Sequence, residues 1–97
     1  MNVEKKLDNG TLTLQVIGRL DTNTAPQLQD EIRYEGVTKL VFDLSSLEYL
    51  SSAGLRILLM AQKTMNASGG EMVVAHPNAT VKSVFAMTGC SDIFTLV

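Results

Sequence analysis

The sequence predicts an α/β domain with a mixed, mostly parallel sheet. Two observations carry this. Asp8-Asn9-Gly10 separates two strand-like stretches, and Asn-Gly readily supplies the positive φ angles of a tight hairpin. After the hairpin, helix-period segments alternate with short apolar runs, a pattern that right-handed crossovers turn into parallel strands. The expected order is β-β-α-β-α-β-α-β, a single domain over residues 1–97 with about five strands and three to four helices.

Each element has its own signal. Val3 to Leu7 reads as the first strand. Thr11 to Ile17 alternates, with Leu12, Leu14 and Val16 on one face, as a half-buried strand does. Gly18 to Asn23 reads as a loop. Thr24 is placed to cap a helix that has Pro26 in its first turn and Gln27 three residues after the cap. Ala25, Leu28 and Ile32 mark its buried face, and Tyr34-Glu35-Gly36 ends it. Lys39 to Leu44 is nearly all apolar, as in a central strand. Asp43 to Ser52 reads as a loop. A second helix runs from about Ser52 to Asn66, where Ser68-Gly69-Gly70 stops it. Glu71 to Ala75 is a strand. Pro77-Asn78 opens a third helix, with Val81, Val84, Phe85 and Thr88 on one stripe and Gly89 as its C′ residue. Ile93 to Val97 reads as the last strand. Met60, Met65, Met72 and Met87 fall at apolar positions and read as core filler.

Composition narrows the function. A chain of 97 residues suits one core built from Leu, Ile, Val, Met and Ala, since tryptophan is absent. A net charge of −2 leaves no electrostatic footprint for nucleic acid or an anionic membrane. The single cysteine, Cys90, cannot form an internal disulfide, which suits a reducing compartment. No apolar run follows Met1-Asn2-Val3-Glu4-Lys5-Lys6, so no signal peptide is expected. The most apolar run, Ile57 to Ala61, is far shorter than the ~20 residues of a membrane span. A soluble cytoplasmic domain is the expectation.

Enzyme chemistry finds little support. There is no glycine-rich phosphate loop. His76, beside Pro77, reads as a strand-end residue, and Cys90 has no orienting third group. No His/Cys/carboxylate cluster has metal-ligand spacing, so neither a metal nor a cofactor is expected.

Sites in α/β sheets gather at the carboxyl ends of strands, and two predicted loops leave there. One carries Asp21-Thr22-Asn23. The other leads into Ser51-Ser52-Ala53-Gly54, which opens a helix apolar on almost every side. Either serine alone is a good N-cap, worth roughly 1 kcal/mol over alanine. One cap suffices, so the other hydroxyl is left to face solvent beside unpaired N–H groups and the positive end of the helix dipole. That place suits an anion, and a phosphorylated serine makes its own. Gly54 weakens the first turn and implies close packing or a close-approaching partner. Ser52, Arg56 and Lys63 share the narrow polar stripe, which places Arg56 one turn from a phosphate on Ser52. Solvation alone also accounts for Arg56 and Lys63. Glu48 and Tyr49 read as loop packing at a possible interface border.

Asp43 to Lys63 resembles the signature of STAS-domain anti-sigma-factor antagonists of the sporulation and stress-response type. Gly18-Arg19-Leu20-Asp21 with Thr24-Ala25 is similar to the family's Gly-x-Leu-Asp…Thr-Ala element. Asp43-Leu44-Ser45 with Tyr49-Leu50, and Thr88-Gly89 with Ile93-Phe94, match further elements, so the likeness spans almost the whole chain. Members commonly read Asp-Ser-Ser/Thr-Gly at the modified site. Alignment on Gly54 makes Ser52 the implied phosphoacceptor, puts Ser51 at the aspartate's position as the alternative acceptor, and puts Ala53 at the Ser/Thr position. The implied partner surface comprises Asp21, Thr22, Asn23, Ser51, Gly54 and Arg56. The implied partners are an anti-sigma factor that is also a serine protein kinase, and a serine phosphatase. The chain itself would be a substrate and binding module, not a catalyst. A small-molecule or nucleotide-binding STAS module, or a scaffold domain without phosphorylation, is the alternative.

Overall fold

The computed structural model describes residues 1–97 throughout. The hairpin forms where the turn signal places it. Strand β1 (Asn2–Asp8) pairs antiparallel with β2 (Thr11–Leu20). Asn9 and Gly10 between them take φ of 49° and 81°, the left-handed pair a two-residue hairpin needs. The chain then runs through α1 (Ala25–Glu31), β3 (Lys39–Asp43), β4 (Leu47–Leu50), α2 (Ser52–Ala67), β5 (Glu71–Ala75) and α3 (Ala79–Met87). A 3₁₀ turn, Cys90–Asp92, and β6 (Thr95–Leu96) complete it.

The sheet order is β1-β2-β3-β5-β6, and β4 pairs with β2 beyond the end of β3. Every pairing except β1 with β2 is parallel. After the hairpin, each crossover steps the same way across the sheet. Right-handed connections therefore stack the three helices on one face. Alternation along the strands agrees. Leu12, Leu14, Val16, Leu40 and Phe42 are buried under the helices, while Thr13, Gln15 and Val41 between them stay partly exposed. At the far end, Phe85 of α3 meets Phe94 edge-on, with centroids 5.2 Å apart. Gln62 is the one buried polar side chain. Its Nε2 donates to Asn66 Oδ1, and its Oε1 has no protein partner.

Four expectations change. The segment read as a loop after β3 contains β4, which makes the sheet six-stranded. Pairing with β2 skips Glu48, since Gly18 faces Leu47 but Arg19 faces Tyr49. This bulge brings Leu47 and Leu50, three apart, both inward, so no period-2 pattern marks the strand. The same pairing draws β2 out to Leu20, through residues read as loop. The last strand shrinks to Thr95–Leu96, because Cys90 is buried and closes a 3₁₀ turn whose carbonyl accepts from Ile93 and Phe94 N–H. Met65 and Met72 are core residues, but Met60 is 43% and Met87 is 80% exposed. Helix α3 ends as expected, with Gly89 just beyond it at φ 74°.

Candidate functional site

The parallel pairing of β2 with β4 sets the two candidate loops side by side. Leu20 O accepts from Ser51 N–H at 2.9 Å, which ties the end of β2 to the start of α2.

At that start the two serines divide the work. Ser51 is the N-cap, in extended conformation. Its Oγ accepts from Gly54 N–H at 3.3 Å, and its carbonyl accepts from Leu55 N–H at 2.9 Å. Ser52 is the first helical residue and is exposed. Its hydroxyl makes no hydrogen bond within the protein, and the N–H groups of Ser52 and Ala53 are the pair that capping leaves free.

Gly54 is buried, and close packing accounts for it. A Cβ there would lie 2.6 Å from Leu20 Cγ, 2.9 Å from Leu20 O and 2.9 Å from Leu50 Cδ1. Of the residues expected on the partner surface, it is the one with no accessible face. It lets α2 sit against the ends of β2 and β4, and so fixes where Ser52 stands.

The other loop is a closed hydrogen-bonded turn. Asp21 Oδ1 accepts from Asn23 N–H at 3.0 Å and from Thr24 N–H at 3.1 Å. The Thr24 hydroxyl donates to Arg19 O at 2.9 Å and lies 3.2 Å from Asp21 Oδ1. Thr24 is the N-cap residue of α1, yet its side chain makes no capping bond to that helix. The expected cap is replaced by this turn: Asp21 N–H donates to Thr24 Oγ1 at 2.9 Å, so the oxygen that would accept from the helix is already in use. Desolvation of Asp21 opposes its ionisation. The N–H groups of Thr24 and Asn23, the Thr24 hydroxyl and the Arg19 charge outweigh this and hold the carboxyl below its ordinary range.

Arg19 and Tyr49 form a feature that sequence reasoning missed. They are register partners across the β2–β4 pair, and the guanidinium lies 4.3 Å from the tyrosine ring centroid. Arg19 Nε is also 3.9 Å from Asp21 Oδ2. No local signal announces the pair, since it depends on a bulged contact between segments far apart in the chain.

Thr22 and Arg56 come together at a shallow groove of about 280 Å³ between α1 and α2. Ala53 and the exposed Met60 also line it, and Arg56 is the only charged residue that does. Asn23 is exposed on the neighbouring turn. Of the expected surface, Thr22, Asn23 and Arg56 are therefore accessible, as is the expected acceptor Ser52; Ser51 and Asp21 are half-buried with their oxygens engaged, and Gly54 is inside. His76 stands apart, exposed after β5 with φ 56°. No group of three or more His, Cys, Asp or Glu residues can hold a metal ion, and no helix is long and apolar enough to cross a membrane.

Comparison with known proteins bears on the fold and the family. The STAS domain family model matches residues 2–97. The chain is 35% identical over 92 residues to BtrV of Bordetella bronchiseptica, a protein named for anti-sigma factor antagonism. The match covers 92% of this chain and 78% of that one. Its fold is similar to that of the anti-sigma factor antagonist SpoIIAA in its unphosphorylated form. That structure gives a TM-score of 0.85 at 20% identity, over 99% of this chain and 88% of that one. The phosphorylated form of SpoIIAA, from Bacillus, gives 0.79 at 19% identity, over 99% and 91%. The fold and the family model agree over nearly the whole length: the chain belongs to the STAS domain family.

Proposed function

We propose that this STAS domain is an anti-sigma-factor antagonist that works by partner switching. The unphosphorylated domain binds an anti-sigma factor that is also a serine kinase. Phosphorylation of Ser52 dissociates the pair, and a serine phosphatase resets the domain. The observation that carries this reading is the division of labour at the start of α2. Ser51 spends its side chain on the cap, so Ser52 can be modified without cost to the helix. Relatives named as anti-sigma factor antagonists support it. The grooves of the fold are open surface depressions, the largest about 370 Å³, and none encloses a small molecule.

The mechanism is local. A phosphate at Ser52 sits at a helix N-terminus, where the dipole and free N–H groups favour it, so the domain keeps its fold. Docking would instead bury a group with nearly two negative charges, whose desolvation costs several kcal/mol unless matched by cations. A loss of about 4 kcal/mol weakens binding about a thousandfold. The test is intact mass after incubation with the cognate kinase and ATP. One phosphate is expected on the wild type and none on Ser52→Ala. Stoichiometric phosphorylation of Ser52→Ala, with none on Ser51→Ala, would move the acceptor to Ser51.

A further inference from the structure

Two arginines stand on the elements that meet at the start of α2, Arg19 on β2 and Arg56 on α2, and the fold treats them differently. Arg19 is committed: it stacks on Tyr49 and pairs with Asp21. Arg56 is in neither of the two ion pairs nor in the cation–π contact, is exposed, and stands at i+4 from Ser52 on the same flank of α2. The neighbouring surface supplies no competitor. Of the residues lining the α1–α2 groove, Arg56 alone is charged, and Thr22 and Gln29 are neutral. The acidic groups nearby sit on other elements. Asp21, after β2, is held by its own turn and by Arg19, and Glu48 lies on β4.

We infer that Arg56 is a built-in clamp for the phosphate on Ser52, holding the phosphoryl group over the mouth of the α1–α2 groove. This rests on the proposed phosphorylation of Ser52 and adds the direction the modified side chain takes. A serine phosphate carries three acceptor oxygens. One side of it faces the free N–H groups of Ser52 and Ala53, and the other is left for a guanidinium one turn along. Anion N-terminal to cation at i,i+4 is the favourable orientation on a helix. The unmodified domain therefore keeps Arg56 unpaired, and phosphorylation supplies its partner.

The test places phosphoserine at position 52 during translation, so no kinase is needed. The second ionisation of the phosphate is then followed by ³¹P NMR at low salt. The clamp favours the dianion, so wild type should titrate lower than Arg56→Gln by about 0.3 of a pH unit. Arg56→Lys should fall between them, because an ammonium lacks the planar fork. Arg19→Gln should titrate like wild type, and raising the salt should shrink the Arg56 effect. Coincident curves for wild type and Arg56→Gln would overturn the clamp, as would an Arg19→Gln shift as large as that of Arg56→Gln. A chain that its kinase never modifies would instead overturn the phosphorylation reading and leave the titration result intact, so the two failures are distinguishable.

Discussion

The turn after β2 and the first turn of α2 lie side by side, and they spend their polar groups in opposite ways. In the Asp21 turn nearly everything is used. The carboxylate takes backbone N–H groups of Asn23 and Thr24, the Thr24 hydroxyl bridges to Arg19 O, and Arg19 closes on Asp21 and Tyr49. At α2 the structural needs are met by Ser51 and Gly54, and Ser52 and Arg56 are left over. The difference separates two kinds of polar surface residue that look alike in a sequence. A saturated group holds shape. An exposed group with no partner is available for chemistry or docking.

The sharpest way to break this contrast is at Gly54. Gly54→Val drives atoms into Leu20 and Leu50, including a backbone carbonyl that cannot move aside, and should cost about 1–3 kcal/mol in denaturant melts. A neutral result would mean that the glycine is not there for packing.

Asp21 comes next. Asp21→Ala removes the acceptor for several donors at once and should lower the melting temperature clearly at neutral pH. The sign of its pH dependence follows from a folded-state pKa below the unfolded one. The stabilisation is complete above the ordinary carboxylate range and is lost as pH falls through the lowered folded value. The gap between wild type and Asp21→Ala should therefore close on acidification. A gap that stays constant into strong acid would show that the charge of Asp21 contributes nothing to the turn.

The serines give the smallest effects and the finest resolution. Ser51→Ala should cost about 1 kcal/mol through loss of the cap. Ser52→Ala should stay within about 0.5 kcal/mol of wild type, as exposed substitutions do. If the two costs were reversed, Ser52 would be the structural residue and Ser51 the free one.

Much of this was legible in the chain. Asn9-Gly10 announces the hairpin, Gly89 ends α3, and the doubled serine before an apolar run marks the start of α2. What stayed hidden depends on contacts between distant segments. Strand β4 is masked because a bulge removes the alternation of Leu47 and Leu50. Thr24 has the look of a cap, and only the folded turn shows that its oxygen already accepts from Asp21 N–H. The Arg19–Tyr49 stack is created by the same bulged pairing. Gly54 stands out by its place in the first turn of a helix, but the groups it packs against, Leu20 and Leu50, are brought to it only by the folded chain.

If one phosphate on Ser52 changes the docking surface and leaves the domain as it was, the two forms will differ in affinity and not in stability. The direct measurement is titration calorimetry of the unmodified and Ser52-phosphorylated domain against the proposed anti-sigma-factor partner, beside thermal melts of both free forms. Binding should weaken about a thousandfold after phosphorylation, with the melting temperature equal or slightly raised. Equal affinities for the two forms would contradict it.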